Sequence, residues 1–149
     1  MKIRTGIISS VIALALIGGT AYLLLRDEGP AAEPAAASAF QFEIADTPAE
    51  HAQGLSGRTE VPANYGLLFV FDRPERYGFW MKDMHVAIDI LWLAEDGTIL
   101  AIEEGVSPAT YPDVFYPPRA VTRVLETRAG EARAQGWEVG TRVPLPAYK

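Results

Sequence analysis

Residues 66–93, GLLFVFDRPERYGFWMKDMHVAIDILWL, constrain the fold of this chain more than any other stretch. They hold two apolar runs, residues 67–71 and 88–93, that are rich in branched and aromatic side chains. Such side chains favour β-strands because they pack well on a pleated surface. Between the runs, FWMKDMH sets large apolar side chains beside a lysine, an aspartate and a histidine. The stretch therefore predicts core strands with a partly exposed pocket wall between them.

Further strand patterns occur on both sides of this stretch. Residues 40–45 alternate apolar and polar side chains, which is typical of a half-buried strand. Residues 72–76 are polar and predict a turn, residues 95–98 predict a hairpin turn, and prolines in residues 107–118 exclude a regular strand there. The remaining strands are predicted over residues 79–81, 86–94, 99–104, 121–126 and 142–145.

Two short α-helices are predicted. Thr47 can cap the first, Pro48 suits its first position, and Glu50 completes a capping box, so this helix spans residues 48–53 and ends before a glycine. The second covers residues 129–135. The chain is therefore predicted to be mainly β, and its sheet is expected to close or nearly close into a small barrel, because closure removes exposed edges.

Residues 1–28 predict a membrane anchor or signal segment. Lys2 and Arg4 precede residues 7–25, a stretch of 19 residues without a charge that is long enough to cross a bilayer as one helix. Cleaved signal peptides have shorter apolar cores and small residues close behind them, which favours an uncleaved, single-pass anchor here. The positive-inside rule then places the N-terminus in the cytoplasm and the domain in the periplasm or outside the cell. Cleavage would instead release a secreted protein.

An Ala- and Pro-rich linker, residues 29–39, separates this segment from a domain over residues 40–149. The net charge of −6 falls entirely on that domain, which has 16 acidic and 10 basic residues. An acidic domain without a basic run is a poor candidate for binding nucleic acid. The predicted partners are therefore the membrane, through the anchor, and an envelope glycan, small molecule or protein.

Metal ions and cofactors are not predicted. The chain has no cysteine, which excludes disulfides and thiol catalysis. Its two histidines, His51 and His85, lack paired ligand spacing. His51 falls on the first predicted helix and is expected to be exposed.

Trp80 and Lys82 are the first candidates for ligand binding. An indole face beside an ammonium group suits a sugar or an acidic group. The alternative is that Trp80 fills the core while Lys82 extends to water. Arg58 is a further candidate, as a partner of either Glu126 or a ligand. Tyr116 lies in the proline-rich loop, which could line a groove or cap the barrel.

Asp83, His85 and Asp89 are the candidates for catalysis. In one strand, odd-numbered positions face the same side, so these three would share a face. An Asp–His pair can transfer protons, and paired carboxylates can act on a glycosidic bond. The alternative is structural, with Asp89 paired to a buried cation such as Lys82 or an arginine. No Gly-x-Ser-x-Gly or Ser-x-x-Lys nucleophile motif occurs.

Short motifs occur in a fixed order across residues 40–143 and combine apolar strand residues, turn glycines and a lysine after Phe-Trp-Met. They include FEIA at 42–45, TPAE at 47–50, GLLFVF at 66–71, FWMK at 79–82, IDI at 88–90 and VLE at 124–126. This series resembles the DUF192 (UPF0127) family, although Ser56, Asp83 and Thr141 depart from its usual residues. The resemblance implies a compact β-barrel of the cradle-loop or double-psi type, often behind a signal or an anchor. It implies no activity.

Three functions remain open at this point. The first is a membrane-anchored extracytoplasmic module that binds a small molecule, glycan or envelope protein through Trp80, Lys82, Asp83 and His85. The second is an envelope glycan hydrolase or lyase that uses Asp83 or Asp89, which rests on analogy between folds. The third is a structural or scaffolding module.

Overall fold

Strands dominate residues 39–147, the part of the chain that the computed structural model describes. The predicted anchor and almost all of the linker lie outside these residues. The strands are β1 (Gln41–Ala45), β2 (Tyr65–Glu75), β3 (Phe79–Trp80), β4 (Ile88–Leu93), β5 (Ile99–Val106), β6 (Val114–Phe115) and β7 (Val121–Arg128). The α-helices are α1 (Pro48–Gln53) and α2 (Glu131–Ala134), and a 3-10 turn spans Pro108–Thr110. A mainly β domain with two short helices is thus confirmed.

Five strands form one sheet in the order β1-β2-β7-β4-β5. β1 runs parallel to β2, and the other neighbours are antiparallel. β3 and β6 form a separate two-stranded sheet. The long strand β7 therefore lies at the centre, between the β1–β2 pair and the β4–β5 hairpin.

The prediction of a closed barrel is wrong for this part of the chain. β1 and β5 are the two edges of the five-stranded sheet and do not pair with each other. Other features protect these edge strands from pairing with another chain. β1 is only five residues long, and β5 carries the exposed acidic pair Glu103 and Glu104. A short strand and charged side chains both discourage pairing with another chain, so closure is not needed.

Several boundaries also differ from the prediction. β2 continues to Glu75, into the predicted turn at residues 72–76. Its register with β7 is irregular there, and the exposed C-terminal part of the strand has no apolar pattern from which a strand could be predicted. β6 pairs with β3 inside the proline-rich loop, because Pro112 and Pro117 flank the paired residues and leave their N–H groups free to bond. The predicted last strand is reduced to a single bridge between Thr98 and Arg142.

Apolar side chains cover both faces of the large sheet. One face carries Leu67, Phe69, Ile90, Trp92 and Val124. The opposite face carries Leu68, Leu91, Leu93 and Leu125, which pack against Ala132 of α2 and against Trp137. All six residues of β4 are buried, which explains why its sequence reads as a continuous apolar run rather than an alternating one.

Helix α1 starts as the capping box predicts. The Thr47 side chain accepts a hydrogen bond from the Glu50 N–H, and the Glu50 carboxylate accepts one from the Thr47 N–H. Hydrogen bonds from residues 46 and 47 also lower the pKa of Glu50. None of the six residues of α1 is buried, so its position depends on its ends and on its contacts with β2.

The Asp89 carboxylate is fully buried in β4 and holds two other elements. Its Oδ1 accepts a hydrogen bond from the Gly105 N–H of β5 at 2.8 Å, and its Oδ2 accepts one from the Ala132 N–H of α2 at 3.1 Å. The expected pairing with Lys82 or an arginine is therefore wrong. Backbone donors satisfy this carboxylate, and its position fits the structural alternative.

No helix within residues 39–147 is long and apolar enough to cross a membrane.

Asp89→Ala should destabilise the protein by about 2–5 kcal/mol, because two buried backbone N–H groups lose their acceptor. Urea unfolding of the purified protein measures this change. Asp113→Ala, at an exposed aspartate of the proline-rich loop, is the matched control and should change the free energy of unfolding by less than about 0.5 kcal/mol. Equal small effects of both variants would contradict the structural role of Asp89.

Candidate functional site

A cavity of about 250 Å³ opens between α1, the Gly54–Leu55 turn and one face of the sheet. We call it the aromatic pocket, because its walls include five aromatic rings together with His51 and Glu126; the rings are those of Phe69, Phe71, Tyr77, Phe79 and Trp80. Its volume lies just below the roughly 300–1,000 Å³ of pockets for drug-sized ligands. The pocket therefore suits a compact small molecule rather than a polymer.

Ring contacts fix the walls of the aromatic pocket. Phe71 and Tyr77 stack with centroids 3.6 Å apart, and Phe69 meets Phe79 edge-on at 4.9 Å. The His51 ring lies 4.3 Å from that of Phe71. Such mutual packing restricts the rotamers of each ring, so the apolar surface of the pocket is formed before any ligand binds.

Glu126 supplies the buried acid of the aromatic pocket. Its partners on the two adjacent strands are Leu67 of β2 and Ile90 of β4. Glu126 therefore lies on an apolar face of the sheet and is only 5% exposed. Its Oε2 has no hydrogen-bond partner among residues 39–147. Burial raises the pKa of Glu126 to about 8, although the Leu55 N–H and the charge of Arg58 act to lower it. At neutral pH this carboxyl is therefore largely protonated.

Gly54 keeps the space above this carboxyl open. A Cβ atom at Gly54 would lie 3.3 Å from Phe69 Cζ and 3.4 Å from Glu126 Oε2. The residue also has φ = 51° and ψ = −138°, a backbone conformation that residues with a side chain rarely adopt. Both the conformation and the space therefore favour glycine at the end of α1.

His51 is half-buried rather than exposed as predicted. Its Nε2 donates to the carbonyl oxygens of Ala45 and Val70, each at 3.0 Å. Because carbonyl oxygens only accept, Nε2 carries the hydrogen of both bonds. The histidine thus joins α1 to β1 and β2 at the wall of the aromatic pocket.

Trp80, Lys82 and Asp83 line an adjoining groove of about 480 Å³. Trp80 is 53% exposed and lines both cavities, which contradicts its alternative role as core filling. Asp83 adopts φ = 56° in a turn, outside any strand. His85 is exposed and lines neither cavity. The expected common face of Asp83, His85 and Asp89 therefore does not form.

Arg58 bonds to residues other than Glu126, and Tyr116 does not line the aromatic pocket. Arg58 forms an ion pair with Glu43 at 2.7 Å and donates to the Tyr65 hydroxyl at 2.7 Å, so the suggested Arg58–Glu126 pair is wrong. Burial and the hydrogen bond to Glu43 raise the pKa of Tyr65 to about 12. Tyr116 is 54% exposed beside Gly78, where its ring leaves no room for a Cβ atom.

Sequence reasoning did not identify the walls of the aromatic pocket. It treated Phe69 and Phe71 as core, gave Gly54 only the role of ending the first helix, and gave no role to Tyr77. The available signal was Glu126 itself, an acid that directly follows the buried apolar pair Val124 and Leu125 and shares its face of the strand with Val124. An unpaired acid at such a position is costly, which makes it a functional candidate.

Among residues 39–147, no three His, Cys, Asp or Glu side chains are grouped as metal ligands would be. The absence of metal ions and cofactors from the function stays a prediction.

Glu126→Gln should change how stability depends on pH. In the folded protein the pKa of Glu126 is raised from 4.5 to about 8. The stability that this raised pKa contributes is fully present below pH 4.5 and is lost as the pH rises through 8. From pH 5 to pH 9 the wild type should therefore lose up to about 5 kcal/mol relative to the glutamine variant. Urea unfolding of both proteins at the two pH values measures the difference. A constant difference would show that Glu126 titrates normally.

The family model DUF192, described as "Uncharacterized ACR", matches residues 31–145. Among solved structures, a Sinorhizobium meliloti 1021 protein described as a "putative transcription regulator" is 33% identical with a TM-score of 0.64, covering 68% of this chain and 78% of that chain. A Novosphingobium aromaticivorans DSM 12444 protein of unknown function is 29% identical with a TM-score of 0.65, covering 69% of this chain and 73% of that chain. No curated protein matches. Because the family match spans most of the sequence, and as its motifs predict, the chain belongs to the DUF192 family.

Proposed function

We propose that this chain is a membrane-tethered, extracytoplasmic module that binds a small molecule in the aromatic pocket. The observation that carries the proposal is the buried Glu126 carboxyl, which belongs to the lining of an aromatic-walled cavity and whose Oε2 has no hydrogen-bond partner among residues 39–147. A buried polar group without a partner costs about 1–3 kcal/mol, and a ligand that bonds to it recovers that cost. Native proteins retain such costs mainly at functional sites.

Binding is favoured over glycan cleavage by the positions of the carboxylates. Cleavage between sugars uses two carboxyl groups on opposite sides of the bond, roughly 5–9.5 Å apart. Glu126 is the single acid that lines the aromatic pocket. Asp89 is fully buried with both oxygens bonded to backbone, and Asp83 lies in the adjoining groove. The hydrolase or lyase alternative therefore lacks a second acid in the pocket.

The charge distribution supports a partner other than nucleic acid. The domain has six more acidic than basic residues, and a DNA-binding surface needs clustered cations. The description of the S. meliloti relative as a regulator is accordingly not extended to this chain. The tether is supported by the uncharged run of residues 7–25 and the basic residues before it.

Fragment screening by NMR on the purified full-length protein tests the binding site. Hits should shift the signals of Leu55, Phe69 and the Trp80 indole, which line the pocket. Gly54→Ala should weaken these hits at least about tenfold, because the added methyl group lies against Glu126 Oε2 and Phe69.

Gly136→Ala is the matched control for Gly54→Ala. Gly136 also has positive φ (68°), but nothing lies within 4 Å of its Cβ position, and it lines neither cavity of the site. This variant also places a side chain at a glycine with positive φ but does not fill the pocket, so it should retain the hits. No hits, or hits that both variants weaken equally, would overturn the proposed site.

Fractionation of cells that express the full chain tests the tether. The protein should sediment with membranes, be released by detergent and resist extraction by high salt, because its predicted contact with the bilayer is hydrophobic. A protease added outside the cytoplasmic membrane should digest the domain. A shortened, soluble form that begins near residue 40 would instead indicate a cleaved signal peptide.

A further inference from the structure

The walls of the aromatic pocket and its acid favour the same kind of charge. An aromatic ring is negative on its face, so it attracts a cation placed above it. Five aromatic rings line the pocket: Phe69 and Phe79 are buried, Phe71 and Tyr77 stack on each other, and the indole of Trp80 is exposed, so its face is the most open to a cation. The Glu126 carboxylate, when ionised, adds a full negative charge to the lining. Rings and acid would therefore both stabilise a positive group.

The cations of the protein do not fill this role in the described residues. Arg58 bonds to Glu43 and Tyr65 and forms no ion pair with Glu126. Lys82 is exposed and lines the adjoining groove rather than the aromatic pocket. The lining of the pocket contains no lysine or arginine. No lysine or arginine of the described residues therefore pairs with Glu126, and a positively charged ligand could take that place.

The size of the pocket limits the ligand further. A volume of 250 Å³ corresponds to about eight water molecules at roughly 30 Å³ each. This is room for a small substituted ammonium group with a short tail, but not for a peptide segment. The excess of acidic residues on the domain also attracts cations toward its surface and repels anions.

We propose that the aromatic pocket recognises a small organic ammonium ion, whose charge lies between the Glu126 carboxylate and the aromatic faces. This inference rests on the proposed function and specifies its ligand class. Methylated or alkylated ammonium groups fit best, because their apolar surface can contact the rings while their charge pairs with the acid.

Binding of such a cation is coupled to release of the Glu126 proton. The neighbours of this carboxyl set the coupling: the Leu55 N–H and the Arg58 charge favour its ionised form, while burial opposes it. His51 and Tyr77 are the other titratable groups of the pocket lining. Since a cation binds best to the carboxylate, affinity should rise with pH and level off once Glu126 is ionised without ligand. A neutral ligand that accepts a hydrogen bond from the protonated acid would show the opposite trend.

Choline and 3,3-dimethyl-1-butanol are a matched pair of probes for this proposal. They have nearly the same shape, but only choline is charged, and it has no group that titrates near neutral pH. Binding to the full-length protein can be followed by the fluorescence of Trp80, with Trp80→Phe as the spectroscopic control, and by calorimetry. At pH 9 choline should bind at least about tenfold more tightly than the neutral alcohol. Its affinity should fall several-fold between pH 9 and pH 6.

Glu126→Gln separates the role of the acid from that of the rings. It should remove the preference for choline and most of the pH dependence, while leaving binding of the neutral alcohol in place. Glu138→Gln makes the same change of net charge at an exposed site outside the pocket lining and should keep both properties. Urea unfolding of each variant confirms that it is folded.

Equal binding of the two probes, or an unchanged preference in Glu126→Gln, would overturn the proposed cation site. Failure of both probes, while fragments still bind the pocket, would likewise exclude an ammonium ligand and leave the small-molecule function standing. Failure of probes and fragments together would reject both proposals.

Discussion

The architecture depends on a carboxylate that is buried and completely bonded. Asp89 lies in the fully buried strand β4 and accepts hydrogen bonds from N–H groups of β5 and α2, two elements that both follow it in the chain. Through these bonds, one side chain fixes an irregular point of the β5 edge and the start of a four-residue helix. An apolar residue there could supply packing but no acceptor, and two buried donors would lose their partners.

Glu126, on the adjacent strand β7, is a buried acid whose hydrogen bonds are incomplete. Its neighbour across the sheet is Ile90, the residue after Asp89, so the two acids point to opposite faces of the same sheet. Asp89 meets backbone donors on its face, whereas Glu126 meets aromatic rings and a cavity on the other. The first acid is explained by the fold alone. The second leaves its Oε2 without a hydrogen-bond partner among residues 39–147.

Sequence reasoning captured features that depend on local patterns. The capping box at Thr47 and Glu50, the apolar run of β4 and the mainly β character follow from neighbouring residues, and they agree with the structure. The DUF192 motifs also indicated the family correctly. The closed barrel did not follow from such patterns, because closure depends on whether β1 and β5 meet, and no local sequence signal specifies that distance.

The candidate site was only partly predictable for a related reason. Trp80 and Lys82 were recognisable because unlike residues stand side by side in the sequence. Gly54, Tyr77 and Glu126 are distant in sequence and meet only through the register of β2 with β7 and the position of α1. Parity along an assumed strand misplaced Asp83, since Asp83 lies in a turn with positive φ. Long-range register, rather than composition, decides which residues form the pocket.

The attachment of α1 has a consequence for access to the cavity. This helix supplies part of the pocket lining, yet none of its residues is buried. It is held by its N-cap and by the two hydrogen bonds of His51. Segments with little buried apolar surface open at far lower free energy than the sheet beneath them. Local unfolding of one short helical turn can therefore expose the interior while β2, β7 and β4 stay intact. Ligand exchange in such an arrangement would be governed by the lifetime of that turn rather than by the width of a permanent opening.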